Sequence, residues 1–138
     1  MRSGILLVED DTEDEFIFRD AMESIDGAEP VHCEKNGIDA LNYLSSLPHG
    51  RLPCVIIADL NMPKMNGPEM LVQLKKNELL RNIPVVMYST SANELEKQAC
   101  LKLGAHSYIT KPFTYSQSIN VAQMIVKLCR ELKQMESQ

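Results

Sequence analysis

No tryptophan occurs in this 138-residue chain, aromatic residues amount to 5%, and lysine and arginine form no run. With 14 basic against 19 acidic residues and a formal net charge of -5, the chain lacks the basic, aromatic-studded surface of a phosphate-tracking nucleic-acid binder. No DNA contact is expected. Long hydrophobic runs are missing too. Apolar runs such as Ile5–Val8 and Val55–Ala58 fall far short of the ~20 residues a bilayer span needs, and no charged-then-apolar leader opens the chain, so no membrane insertion is expected. The four cysteines, Cys33, Cys54, Cys100 and Cys129, show no C-x-x-C spacing. Three of them sit in apolar stretches, as reduced core cysteines do, which implies a cytoplasmic location. His32, His49 and His106 lie far apart and show no helical spacing for zinc.

What is present is ordinary globular material, 44% hydrophobic and 24% charged, at a length that suits one domain over residues 1–138. Short apolar, β-rich runs alternate with longer stretches of helical period, the pattern of stacked βα units around a parallel sheet. The expected strands are Gly4–Val8, Val31–Glu34, Cys54–Ala58, Pro84–Tyr88 and His106–Ile109. The first, third and fourth are nearly continuous in Ile, Leu, Val or Met, as strands covered on both faces must be. The second and fifth carry His32, Glu34 and Ser107 and belong at the edges. The expected fold is therefore α/β: a doubly wound, five-stranded parallel sheet in the flavodoxin-like order 2-1-3-4-5, with helices on both faces.

Helix starts are signalled by hydroxyl residues followed three positions later by Glu or Gln: Thr12 with Glu15, Ser91 with Glu94, Thr114 with Gln117. Pro68 suits the first turn of a further helix, and another should run from about Ile38 to Ser46. The last helix, near Tyr115 to Met135, carries an apolar stripe at Ile119, Ala122, Ile125, Val126, Cys129 and Leu132, read as core. Pro48 to Pro53 is a longer loop.

Ligands of open parallel sheets bind beyond the carboxyl ends of the strands, and the residues that follow each strand share a chemistry. Strand one ends in Glu9-Asp10-Asp11, strand three in Asp59, strand four in Ser89-Thr90, strand five in Thr110-Lys111-Pro112. Carboxylates that meet must share a proton or be neutralised. Glu9, Asp10 and Asp59, with the backbone carbonyl of Asn61, offer a hard oxygen set of the kind Mg²⁺ takes while keeping water and open positions. Lys111 adds a point charge and Ser89 a donor. A carboxylate nucleophile between a divalent cation and an ammonium makes a phosphoryl-transfer site.

Four segments carry a resemblance over nearly the whole chain: Ile5-Leu6-Leu7-Val8-Glu9-Asp10-Asp11; Asp59-Leu60-Asn61-Met62-Pro63-Lys64-Met65-Asn66-Gly67; Pro84-Val85-Val86-Met87-Tyr88-Ser89; and Gly104 to Phe113, with Lys111-Pro112-Phe113 at its end. The chain resembles the receiver domains of two-component response regulators, in particular single-domain, chemotaxis-type regulators, and the stretch from Leu44 to Cys54 is similar to phytochrome-associated members. The resemblance implies that Asp59 accepts a phosphoryl group from a sensor histidine kinase or histidine phosphotransfer protein, with Mg²⁺ held by Glu9 and Asp10. It implies that Ser89 is the switch hydroxyl, Tyr108 the switch aromatic, Lys111 the family lysine, and Lys111–Pro112 a cis peptide.

Three positions depart from the usual pattern. Glu9 stands where many members have Asp and its longer arm reaches a metal through water; Ser89 replaces the commoner Thr; Thr90 adds bulk that should hinder an attacking water. Phosphorylation is expected to move the loop after the fourth strand and Tyr108 inward, a population shift that needs ~5.5 kcal/mol of differential stabilisation. No output domain is expected, so output is binding to another protein or to a second copy, as a monomer or a phosphorylation-dependent homodimer. Two enzymatic or carrier readings compete. A haloacid-dehalogenase-type phosphatase would need an acid where Asn61 stands, and Asn does not exchange that proton. An FMN carrier would need a phosphate loop that Glu9-Asp10-Asp11 would repel. A third alternative, a docking module that is never phosphorylated, would have lost Asp59 or Lys111. The chain is thus not expected to be an enzyme beyond its own phosphorylation and dephosphorylation.

Overall fold

In a computed structural model that describes residues 2–136, the elements alternate from end to end. They are β1 (Ile5–Val8), α1 (Thr12–Glu23), β2 (Val31–Glu34), α2 (Gly37–Ser46), a 3-10 turn at His49–Arg51, β3 (Val55–Asp59), α3 (Gly67–Lys75), β4 (Val85–Ser89), α4 (Glu94–Lys102), β5 (Ser107–Thr110) and α5 (Tyr115–Glu136). The five strands are all parallel in the order β2-β1-β3-β4-β5. Fold class and edge assignments agree with the sequence reading. Strand limits move by a residue: Gly4 has φ +84 and cannot continue β1, whereas Asp59 and Ser89 still belong to their strands.

Alternation along each strand divides the core in two. Leu6, Val8, Ile56, Ala58, Val85 and Met87 point to one face, where Ala40 and Leu44 of α2, Met70, Leu71 and Leu74 of α3 and Cys100 of α4 cover them. Ile5, Leu7, Val55, Ile57, Val86 and Tyr88 point to the other, under Phe18, Ala21 and Met22 of α1 and Ala122, Ile125, Val126 and Cys129 of α5. The apolar stripe of the last helix is therefore core over Ala122, Ile125, Val126 and Cys129, with Ile119 at its margin, while Leu132 is half-buried and stands outside the cluster.

One expectation about cysteine is overturned. Cys54, just before β3, and Cys129, in α5, form a disulfide with Cα atoms 5.6 Å apart, while Cys33 and Cys100 are free thiols. The cysteines were read as reduced because they show no C-x-x-C spacing and three sit in apolar stretches; the bridged pair lies 75 positions apart. Their meeting depends on α5 crossing the underside of β3, which no local spacing encodes.

The helix caps also shift. Asp11, not Thr12, caps α1 by accepting from the Asp14 N–H at 2.9 Å. Asn93, not Ser91, caps α4 by accepting from the N–H groups of Leu95 and Glu96. Thr114 accepts from the Gln117 N–H at 3.2 Å as read, but the Gln117 side chain takes the Phe113 N–H instead of closing the box. A full reciprocal box occurs where none was read, between Asn66 and Glu69 at the start of α3, with Pro68 in its first turn. In both places the cap is the residue that is still extended immediately before the first helical one, Asp11 and Asn93, and its side-chain oxygen reaches the free N–H groups of the first turn.

Candidate functional site

The carboxyl ends of β1, β3, β4 and β5 bring the sequence-selected residues together. β1 delivers Glu9 into a buried position, 1% exposed, where its N–H donates to Glu34 O at 2.9 Å. β3 ends on Asp59, half-buried, with its Oδ1 3.5 Å from the Asn61 N–H. Gly67 packs directly on this strand end: a Cβ at Gly67 would lie 2.4 Å from the Asp59 carbonyl oxygen. β5 runs into Lys111, whose N–H donates to Ser89 O at 2.7 Å and so ties the ends of β4 and β5. No cis peptide occurs among the described residues, so Lys111–Pro112 is trans, contrary to the family pattern.

Lys111 is the buried hub. Its Nζ lies 2.7 Å from Glu9 Oε1, 2.8 Å from Asp14 Oδ2 and 3.5 Å from Asp59 Oδ2, and 5.8 Å from the centre of the Tyr88 ring. Burial alone would lower the ammonium's pKa, but Asp14, Glu9 and Asp59 together hold it above the usual lysine range. Burial pushes the Glu9 carboxyl up to about 7, with Lys111 opposing and the Asp59 charge reinforcing the rise. Burial also pushes the Tyr88 phenol up to about 12. Among the described residues, every buried side-chain nitrogen and oxygen has a hydrogen-bond partner, although the carboxylates at this edge outnumber the one ammonium.

Glu9, Asp10 and Asp59 each present a carboxylate oxygen within 4.8 Å of the others, a group able to hold a metal ion. Asp10 is exposed and Asp59 has one oxygen turned to the exposed Asn61. Glu9 has both oxygens engaged, Oε1 by Lys111 and Oε2 by the Asp11 N–H at 3.2 Å. The three oxygens form a hard donor set of the kind that suits a divalent cation.

The hydroxyl side of the site is built as a relay. Ser89, 1% exposed, accepts from the Ser91 N–H at 3.1 Å, and Tyr108 donates its hydroxyl to Ser91 O at 2.8 Å. Ser91 thus links the two residues read as the switch, through its backbone, while Thr90 between them is exposed and makes no hydrogen bond to the acidic group. Two participants escaped the sequence reading. Asp14 carries no motif, and its place one helical turn after the acidic run was the only available signal; Ser91 was read solely as a cap.

Comparison with known proteins accords with this geometry. Residues 5–123 match the response regulator receiver domain family. The chain is 34% identical over 113 residues, 80% of its length and 73% of the relative's, to a probable methanogenesis regulatory protein, FilR2, of Methanothrix harundinacea. It is 33% identical over 110 residues, 78% of its length and 75% of the relative's, to response regulator Rcp1 of Synechocystis sp.. Among solved structures, the phosphorylated cyanobacterial phytochrome response regulator RcpA aligns with a TM-score of 0.80 at 32% identity, over 91% of each chain. The Mn²⁺-bound form of response regulator Rcp1 aligns with a TM-score of 0.77 at 30% identity, over 89% of this chain and 91% of that one.

Proposed function

This chain belongs to the response regulator receiver domain family, and from that premise we propose that it is a phosphorylation-activated switch of a two-component phosphorelay whose acceptor is Asp59. The observation that carries the reading is the convergence of Glu9, Asp10 and Asp59 with the buried Lys111 at one edge of the sheet. An Asp59 carboxylate oxygen attacks phosphorus of a phosphohistidine on a sensor histidine kinase or histidine phosphotransfer protein. The P–N bond breaks, an acyl phosphate forms, and the imidazole leaves with a proton from solvent. Asp10 and Asp59, with the Asn61 carbonyl, would hold Mg²⁺, and Glu9 would act through water; the ion would neutralise phosphoryl oxygens. The Mn²⁺-bound Rcp1 structure supports a divalent cation for this fold.

Phosphoryl oxygens then recruit Ser89 and Lys111. Ser89 cannot turn toward Asp59 without disturbing the Ser91 N–H that it accepts, and Ser91 O holds Tyr108, so the β4–α4 loop and Tyr108 move as a unit. The output is a changed protein-binding face of α4, β5 and α5, for a downstream protein or a second copy. The chain catalyses only its own phosphorylation and dephosphorylation, and its place in the cytoplasm now rests on the family alone, since the bridged Cys54 and Cys129 no longer argue for a reducing compartment. Thr90, exposed beside Ser89, slows the water that would hydrolyse the acyl phosphate; Thr90→Ala should shorten the phosphorylated lifetime, and an unchanged lifetime removes that role.

Intact mass after incubation with Mg²⁺ and acetyl phosphate tests the whole reading. One phosphoryl gain is expected, absent in Asp59→Asn and absent with EDTA. No gain, also with a phosphorylated kinase as donor, would leave a docking module that is never phosphorylated.

A further inference from the structure

Three carboxylates compete for the one Lys111 ammonium, and they are not equivalent. An ammonium has three N–H donors, and bonds to Glu9 at 2.7 Å and Asp14 at 2.8 Å use two of them. Asp59, at 3.5 Å, is reached only as a longer ion pair. Glu9 is a fixed partner, because it is buried and its second oxygen is already held by the Asp11 N–H. Asp14 is a replaceable one. Its side chain is 34% exposed, so water can take the place of the ammonium with little desolvation cost. Its backbone is fixed, with the N–H donating to the Asp11 cap, so the carboxylate is presented to Lys111 from a rigid first turn of α1.

We propose that Asp14 is a positioning residue that holds the Lys111 ammonium back from Asp59 and is the partner the ammonium gives up when a phosphoryl group arrives there. The inference rests on Asp59 being the acceptor. A phosphoryl group brings close to two negative charges and strong acceptor oxygens, enough to draw Lys111 away from a solvated carboxylate but not from Glu9. The exchange needs only a rotation about the flexible lysine stem and leaves the Glu9 bond in place. Without the Asp14 charge the ammonium leans toward Asp59 from the start, ready for the incoming phosphoryl group. Asp14 therefore sets the rate of phosphorylation by acting through Lys111.

The test is a time course of intact mass with Mg²⁺ and acetyl phosphate for the unaltered chain, Asp14→Asn, Asp14→Glu and Glu13→Gln, with thermal melts to confirm folding. Glu13→Gln removes the same charge from the same exposed turn without touching Lys111. Asp14→Asn is expected to be phosphorylated about two- to five-fold faster, the range an exposed ion pair commands. Asp14→Glu should return the rate toward the unaltered value, and Glu13→Gln should match it. If Asp14→Asn disturbs the helix start, Asp14→Ala replaces it with the same expectation. An unchanged or slower rate, no rescue by Glu, or an equal rise in Glu13→Gln overturns the positioning role while leaving Asp59 as acceptor. Absence of any phosphoryl gain in the unaltered chain, with a phosphorylated kinase as well, overturns the acceptor reading itself.

Discussion

At the carboxyl edge of the sheet Glu9, Asp14 and Asp59 surround a single ammonium, with Asp10 beside Glu9 and Asp59; at the amino edge the sheet is closed by backbone hydrogen bonds and a covalent link. There Ile5 N–H donates to Pro30 O, Cys54 N–H to Gly4 O, and Cys54 is joined to Cys129 of α5. The strands between the two ends are the same five, so the contrast comes from what each end must do. The carboxyl edge keeps like charges close and partly hydrated, ready to respond to one more anion. The amino edge holds α5 against the sheet through the Cys54–Cys129 bridge.

Cutting the link at the amino edge should produce the largest effect. Bridging residues 75 apart restricts the unfolded chain by about 4 kcal/mol on the loop-entropy estimate. Reduction, or Cys54→Ala with Cys129→Ala, should lower the denaturant midpoint accordingly, and an unchanged midpoint would remove the lock from the comparison. At the carboxyl edge, Lys111→Met strips a buried Glu9 of its ammonium and should cost about 3 kcal/mol. Its pH dependence has a definite sign. A carboxyl whose folded pKa is already raised to about 7 binds its proton more tightly folded than unfolded, so its contribution falls as pH rises through that range. The loss in Lys111→Met should therefore be smaller at pH 6 than at pH 9; equal losses would show that Glu9 is not the group left exposed to the change.

Gly67→Ala sharpens the comparison at one atom. Its Cβ would meet the Asp59 carbonyl oxygen at 2.4 Å, a backbone atom that cannot step aside as a flexible side chain would, which should cost about 2 kcal/mol and slow phosphorylation as Asp59 is displaced. A stable, normally phosphorylated variant would mean that the acceptor strand end is not tightly seated.

The smallest effect belongs to the flank. Lys35 and Arg19 hold the Glu15 carboxyl down to about 2. That stabilisation is present above about pH 4.5 and lost as pH falls toward 2. Glu15→Gln should cost no more than ~1 kcal/mol at pH 7, with the difference shrinking between pH 5 and pH 3. A gap that stays constant with pH would trace it to packing instead of charge.

Much of this was legible in sequence because it is periodic or local. Period-two and continuous apolar runs separate edge strands from central ones, and placing acidic, hydroxyl and lysine residues after successive strands locates the site once the sheet is parallel. The Asn66–Glu69 box and the competition of Asp11 with Thr12 were not resolved, since a cap belongs to whichever residue the backbone leaves extended. Asp14 went unread because its role depends on where α1 sits relative to the end of β5, 97 positions away.

The amino-acid sequence by itself determined the order and kind of the elements, the edge strands, and which residue types would stand at the carboxyl ends. Those follow from hydrophobic periodicity and chain direction alone. Only the tertiary structure decided that Lys111 shares its ammonium among Glu9, Asp14 and Asp59, that Ser91 joins Ser89 to Tyr108, and that Cys54 meets Cys129. Each of those contacts depends on the distance between side chains carried by different elements, which packing sets and no spacing along the chain records.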